Sequence, residues 1–246
     1  AREHGIPVLI SISGVDGAGR GAVVNMLSEW MDAKSIRNHT FWLETDEERG
    51  RPEEWKYWRR LPGAGEISVF FGGWYGEPVR RLCCGEMKKR DFDLLMHRRT
   101  QLEHALTASG TVIIKFWLHI SKKTHAERLK SRLKNREVHH FTPYDRKSAE
   151  DYESLVKAGG RAITLTDRVD APWTIIDACD ATFRNVSVAR TVIAAIEHAV
   201  EKKKNETARQ PAGDETQNTG LSALDAVDLS RTCDQGAYKK ELARKF

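Results

Sequence analysis

The chain has 246 residues, with 40 Lys or Arg against 35 Asp or Glu and a formal net charge of +5 at pH 7. This length allows one full domain with an appendage. The charge balance is too even to identify an anionic partner by itself. No apolar run reaches the roughly 18–20 residues of a membrane-spanning helix, and the four cysteines form no C-x-x-C pair. These features predict a globular cytoplasmic protein without a membrane partner.

Short apolar runs alternate with segments of helical period from residue 8 to residue 200. The runs cover Val8–Ser13, Ile67–Phe71, Thr111–Ile120 and Trp173–Asp177, with a weaker one at His39–Leu43. The helical segments are Ala22–Met31, Leu94–Ala108, Lys122–Leu133 and Val186–Val200. Continuous apolar strands alternating with amphipathic helices are typical of βαβ units, whose parallel sheet is covered on both faces. The sequence therefore predicts an α/β fold with a parallel sheet of about five strands.

A glycine-rich turn follows the first predicted strand. Gly14 and Gly19 have the G-x-x-x-x-G spacing of the Walker A frame, and Gly17 and Gly21 lie beside them. Glycines let successive backbone N–H groups point into one concavity, and the next helix adds its positive N-terminal end. The segment is therefore a predicted phosphate-binding loop, although a turn that only joins strand to helix remains the alternative.

The side chains of this loop depart from the strict Walker A pattern. Arg20 stands where the pattern has Lys, and Gly21 stands where it has Ser or Thr. Arg20 keeps the positive charge, but its forked group is a poor substitute where a compact ammonium must follow a moving phosphoryl group. Gly21 offers no hydroxyl to magnesium. Asp16, inside the loop, is the candidate Mg²⁺ ligand.

Three further stretches form, together with the loop, an ordered set of motifs. They are Leu61–Ile67, Lys115–Ser121 and Ala171–Ile176. Together with Gly14–Gly21 they resemble, in order and spacing, the polyphosphate kinase 2 family, which transfers phosphoryl groups between inorganic polyphosphate and nucleotides. The string Lys-Phe-Trp-Leu-His-Ile-Ser at 115–121 is the most specific piece. The resemblance covers about residues 6–200.

The resemblance implies a three-layer P-loop kinase-like domain over residues 1–204, with a helical lid at about 122–160. It implies polyphosphate and AMP or ADP as substrates and Mg²⁺ as the cofactor. Asp145 fits a lid aspartate of the family and could cap a helix over Ala149–Ala158.

Carried over by position, the loop lysine of the family falls on Arg20, while Asp16 and the glycines Gly14, Gly19 and Gly21 are retained. A second family motif, Asp-Arg-Ser-Trp-Tyr, falls on Phe71–Tyr75, so its metal-binding aspartate and phosphate-binding arginine are both lost.

The lid arginines of the family fall on Arg128 and Arg132. At i and i+4 on a helix they share one face and could flank a phosphate chain. A solvated basic face is the alternative, because several lysines crowd the same helix.

The character of the sequence changes from Glu201, where three lysines give way to a polar stretch. Residues 205–220 lack large apolar side chains and are predicted to form a disordered linker. Residues 221–246 resemble the lead-in to a second domain of the same kind. Tandem members of the family join a degenerate first domain to a catalytic second one, and this chain resembles the first.

These departures predict a domain with weak or no phosphotransferase activity alone, which binds polyphosphate or supports a catalytic partner domain, and which could form a homo-oligomer. Two other classes remain open. An active kinase could have relocated its metal carboxylate to Glu44, Asp46 or Glu77, and a purely structural assembly domain would bind no phosphate.

Trp55 and Trp58 lie next to Arg59 and Arg60. Such a mixture could stack the bases of a single-stranded nucleic acid. Their i, i+3 spacing instead favours the buried stripe of a helix that ends before Pro62, so we predict no nucleic-acid partner.

Overall fold

The computed structural model describes residues 1–41, 45–134 and 151–209, and Ala1–Thr207 forms one compact unit. Five strands build its centre: β1 (Val8–Gly14), β2 (Ile36–Thr40), β3 (Ile67–Phe71), β4 (Val112–His119) and β5 (Trp173–Asp177). They form one sheet in the order β2-β3-β1-β4-β5, and each neighbouring pair is parallel. Strand β1 lies in the middle and is buried along its whole length.

Eight helices accompany the strands in the described part of the chain, apart from one turn of 3₁₀ helix at Arg2–His4. They are α1 (Arg20–Trp30), α2 (Asp46–Arg49), α3 (Trp55–Trp58), α4 (Gly73–Cys83), α5 (Lys89–Ala108), α6 (Lys122–Lys134), α7 (Tyr152–Thr166) and α8 (Ala181–Arg209). Helices α4, α5 and α7 pack together in one layer, while α1 packs on β1, β2 and β3. The predicted three-layer α/β fold with a five-stranded parallel sheet is confirmed.

The strand predictions hold closely wherever the apolar run is continuous. Strand β2 begins at Ile36 and ends at Thr40, so it precedes the predicted run by three residues. The sequence reasoning did not predict α4, whose first turn holds glycines and whose interior holds Pro78. Helix α8 runs to Arg209 and covers the first five residues assigned to the linker. Residues 210–246, which hold the rest of the linker and the second-domain lead-in, lie outside the described residues.

The predicted buried stripe of Trp55 and Trp58 is wrong. In α3 the buried residues are Lys56 and Tyr57, and Trp58 is half exposed. Lys56 turns inward because its ammonium lies 3.2 Å from the Glu77 carboxylate. Tyr57 fills the core as part of a cluster of rings on β3 and α4.

A buried ion pair lies between the sheet and the helix layer. The Lys115 ammonium on β4 donates to the Glu103 carboxylate on α5 at 2.7 Å, and both side chains are fully buried. The same carboxylate accepts from the Trp74 indole at 3.1 Å and the Tyr75 hydroxyl at 2.5 Å. Burial raises the pKa of Glu103 and lowers the pKa of Lys115, while each charge opposes the shift of the other. Lys115 also donates to the Thr166 backbone oxygen at 2.7 Å, which ties α7 to the group.

The far end of α8 returns to the start of the chain, where the Lys203 ammonium donates to the His4 backbone oxygen at 2.5 Å. Within the described ranges, no helix has the length and apolar content needed to cross a membrane.

Candidate phosphate-binding site

The loop between β1 and α1 has a backbone that requires glycine. Gly14 has a φ of 142°, and a Cβ there would lie 2.2 Å from the Leu118 backbone oxygen of β4. Gly19 is the N-cap residue that precedes α1, with a φ of 83°, and no side chain caps this helix. Gly17 also has a positive φ, whereas Gly21 lies in the first turn of α1 beside open space. The loop therefore leads into a helix N-terminus that is open to an anion.

The charged side chains of the loop bind each other. The Arg20 guanidinium lies 2.5 Å from the carboxylate of Asp16, four residues earlier in the loop, and both side chains are largely buried. The centre of the same guanidinium lies 5.2 Å from the centroid of the Phe71 ring. A cation over an aromatic face is attracted by the ring quadrupole. Arg20 is thus held between a carboxylate and a ring.

Arg128 links the loop to the segment that follows β5 by hydrogen bonds. Its guanidinium donates to the Gly17 backbone oxygen at 2.8 Å. It also donates to the backbone oxygens of Ala178 at 3.2 Å and Cys179 at 2.6 Å, which follow β5. These three described acceptors are backbone carbonyls, and none of them carries a negative charge. Arg132 belongs to the same helix by its backbone, but its side chain is outside what the structure describes.

Arg184 of α8 is a second cation beside the loop. Its side chain is buried, and a Cβ at Gly19 would overlap its guanidinium at 2.0 Å. Burial, with a smaller contribution from the charge of Arg128, lowers the pKa of Arg184. This residue explains why position 19 accepts no side chain.

Only parts of the predicted lid are described. Residues 135–150, which include Asp145, lie outside the described residues. Helix α7 begins at Tyr152, and Asp151 caps it by accepting from the Ser154 backbone N–H at 3.0 Å. On α6 the His125 ring is buried and packs 5.2 Å from the Tyr152 ring. Burial lowers the pKa of His125, and the negative charge of Asp16 opposes that shift.

A cleft opens between the loop and α4. It is lined by Ser13, Gly14, Asp16, Arg20, Tyr75, Gly76, Val79, Arg80, Trp117 and Leu155. The structure therefore brings the predicted Gly14, Asp16 and Arg20 together in one cleft. Sequence reasoning missed Arg80, because only the phase of the unpredicted α4 turns it toward the loop.

Among the described side chains, this site offers a resident magnesium ion little besides the Asp16 carboxylate. Asp16 is already paired with Arg20, Phe71 is apolar, and Gly21 has no hydroxyl. Within the ranges that the structure describes, no group of three or more His, Cys, Asp or Glu side chains could hold a metal. The assignment of Mg²⁺ to Asp16 stays a prediction.

The surroundings of the alternative metal ligands, Glu44, Asp46 and Glu77, do not favour metal binding where they are described. Glu77 lies 3.2 Å from the Lys56 ammonium. The Asp46 side chain is almost fully exposed and lies 3.0 Å from Arg49. Glu44 is outside the described residues.

Comparison with known proteins agrees with the motifs. Residues 1–205 match the family model for polyphosphate kinase 2. Two polyphosphate:AMP phosphotransferases, from Pseudomonas aeruginosa and Pseudomonas syringae, are 36% and 35% identical and cover 96% of the chain. The chain spans about half the length of these curated relatives, 48% in each case.

Solved structures give the same result. A crystal structure from Pseudomonas aeruginosa PA01, assigned as polyphosphate kinase 2, matches 99% of this chain and 46% of its own length with a TM-score of 0.76 and 32% identity. The polyphosphate kinase 2 of Arthrobacter aurescens shares the fold, with a TM-score of 0.66 and 20% identity over 97% of this chain and 76% of its own. The chain belongs to the polyphosphate kinase 2 family.

Proposed function

We propose that this chain is a polyphosphate kinase 2-type domain that binds inorganic polyphosphate and a nucleotide, AMP or ADP, and has weak or no phosphotransferase activity on its own. Polyphosphate and AMP are in the names of two relatives, and ADP is in the name of another. Because the chain spans about half of those relatives, the proposal includes support of a catalytic partner domain.

The Arg20–Asp16 pair is the observation that carries this proposal. Phosphoryl transfer depends mainly on positioning and on neutralising the charge of the transferred group. Here the cation that should meet the phosphate and the carboxylate that should meet the metal neutralise each other, and the Phe71 ring covers the cation. Removing a single electrostatic stabiliser costs about 10²–10³ in rate. Positions 20, 71 and 72 all differ from the family motifs together.

A non-catalytic polyphosphate-binding or assembly domain is the second candidate. It is favoured by the backbone of the loop, which keeps the positive φ angles at Gly14, Gly17 and Gly19 although the side chains have changed. An intact nest of N–H groups with a helix N-terminus can hold a phosphate without transferring it.

One assay pair tests the proposal. Phosphorylation of AMP and of ADP is measured with long-chain polyphosphate and Mg²⁺, beside a polyphosphate-binding titration on the same preparation. We expect binding without measurable turnover in the unaltered chain.

A double variant, R20K/F71D, returns an ammonium and a carboxylate to the loop. Gly72 is left unchanged because its φ of 74° would strain any side chain. We expect turnover to rise in this variant, because the restored groups are free to meet phosphate and metal.

Turnover by the unaltered chain that is abolished by Asp16→Asn would overturn the proposal of impairment and make the chain an enzyme in its own right. Absence of both binding and turnover would leave only an assembly role.

A further inference from the structure

A buried arginine of α8 contacts the backbone of the loop. The Arg184 guanidinium donates to the Ala18 backbone oxygen at 3.4 Å. The side chain is only 5% exposed, and a Cβ at Gly19 would lie 2.0 Å from a terminal nitrogen of the guanidinium. Arg184 is not among the residues that line the cleft beside Gly14 and Arg20. It therefore acts on the loop backbone and not directly on a ligand in the cleft.

The residue after Arg184 holds the guanidinium in this orientation. The Asn185 amide oxygen accepts from two nitrogens of Arg184, from Nε at 3.1 Å and from Nη2 at 2.9 Å. The remaining terminal nitrogen, Nη1, is the one that donates to Ala18. Because a guanidinium is a rigid planar fork, fixing one edge of it fixes the direction of the other. Asn185 therefore determines where the Nη1 donor lies.

The contact with Arg184 fixes a peptide unit whose N–H points the other way. Within the described residues no peptide bond is cis, and in a planar trans peptide the carbonyl of one residue and the N–H of the next point in opposite directions. Holding the Ala18 oxygen at Arg184 thus directs the Gly19 N–H away from that arginine. In the described part of the chain this N–H donates to no backbone oxygen. It belongs to the residue that precedes α1, where an anion is favoured.

The preceding peptide unit of the loop is held in a similar way. Arg128 donates to the Gly17 oxygen at 2.8 Å, and the Ala18 N–H of the same unit donates to the Val15 oxygen at 3.2 Å. Two consecutive carbonyls of the loop are thus bonded to two arginines, one from α6 and one from α8. Carbonyl oxygens that are held by cations stay turned away from a bound anion, which they would repel.

We propose that Arg184 is a positioning residue of the phosphate-binding loop, which holds the Ala18 carbonyl so that the Gly19 N–H stays directed at a bound phosphate group. Arg184 itself does not touch the phosphate, which belongs to a polyphosphate chain or to a nucleotide. The inference deepens the proposed function and rests on it.

The test is calorimetric titration of the full chain with tripolyphosphate and, separately, with AMP. Arg184→Gln removes the guanidinium, Asn185→Ala removes the acceptor that orients it without changing any charge, and Arg190→Gln removes an equal charge from an exposed position of the same helix. We expect Arg184→Gln to weaken binding of at least one ligand about tenfold, the scale of one lost hydrogen bond to an anion. Asn185→Ala should weaken binding of the same ligand about threefold. Arg190→Gln should leave both affinities unchanged.

A second measurement follows the loop backbone in the absence of ligand. The NMR resonance of the Ala18 carbonyl carbon reports the hydrogen bond that this carbonyl accepts. It should shift in Arg184→Gln and in Asn185→Ala and stay in place in Arg190→Gln. Unfolding midpoints verify that each variant is folded, and Asn185→Ala, at a half-buried position, carries the test if Arg184→Gln does not fold.

The outcomes separate this role from the proposed function. Loss of affinity in Asn185→Ala together with a shifted Ala18 resonance supports the positioning role, and the ligand affected tells which phosphate meets the loop. Unchanged affinities or an unmoved Ala18 resonance in Asn185→Ala, or equal losses in Arg184→Gln and Arg190→Gln, overturn the role and leave phosphate binding by the domain intact. Failure of the unaltered chain to bind either ligand overturns both.

Discussion

Two ion pairs of this molecule are each completed by residues of one motif. The Lys115–Glu103 pair is fully buried and is completed by Trp74 and Tyr75. The Arg20–Asp16 pair lies at the cleft and is completed by the Phe71 ring. The segment Phe71–Tyr75 therefore contributes to both pairs, and Tyr75, which donates to Glu103, also lines the cleft.

Within this one motif, some residues stabilise the fold and others belong to the candidate phosphate site. The residues that match the family, Trp74 and Tyr75, hold the carboxylate of Glu103 inside the helix layer. The residues that depart from it are Phe71, the last residue of β3, and Gly72, which precedes α4. A domain can lose groups of the second kind and keep its fold, because the core pair needs only the first kind.

Removing the cation from each pair gives the largest contrast. Lys115→Met leaves the Glu103 carboxylate buried without its partner and should lower the free energy of unfolding by about 3–5 kcal/mol. Arg20→Met leaves Asp16 near the N-terminus of α1, which favours a carboxylate, so we expect a loss of only about 1 kcal/mol. Urea unfolding measures both.

Lys122→Met is the control for charge removal, because Lys122 and its partner Glu153 are both exposed. The unfolding midpoint of this variant should stay close to that of the unaltered chain. If Arg20→Met were as costly as Lys115→Met, the division between a structural pair and a site pair would fail.

A smaller effect is expected where α7 covers the cleft wall. A Cβ at Gly159 would lie 2.0 Å from the Trp117 ring, whereas at Gly160 nothing lies within 4 Å. Gly159→Ala should destabilise the fold by about 1–3 kcal/mol through overpacking. Gly160→Ala should stabilise it by about 0.5–1 kcal/mol, because alanine favours the helix. Thermal unfolding measures the stability of both variants. If both substitutions lowered stability, or both raised it, the close packing at Gly159 would be contradicted.

The smallest expected effect concerns pH on the loop side. Because burial lowers the pKa of His125 in the folded state, the unfolded chain takes up a proton there as pH falls below about 6.5. The histidine should therefore make the fold less stable as the pH decreases from 7.5 to 5.5. In His125→Phe this contribution is absent, so the variant should lose less stability over the same range. His39, whose pKa is also lowered, is present in both proteins and cancels. A difference between the two proteins that does not change with pH would contradict this account.

The sequence predicted most of the sheet because four strands are continuous apolar runs. Strand β2 was placed too late because Arg37 and Asn38 interrupt the pattern on a half-exposed edge strand. The glycine spacing predicted the loop backbone because, like an apolar run, it is a local pattern of neighbouring residues. The partners of the charged residues could not be predicted, because the meeting of Lys115 with Glu103, or of Arg80 with the loop, depends on helix phase and strand order.

The Lys203–His4 hydrogen bond has a topological consequence. It brings residue 4 within reach of the Lys203 side chain, so a short connection between residues 4 and 203 would close the domain into a ring with little loss of entropy. Such a ring could be opened at Gly85, an exposed turn residue with open space around it. Circular permutation of this domain is therefore geometrically permitted. The strands and helices could follow one another in a different chain order and still occupy the same positions in space.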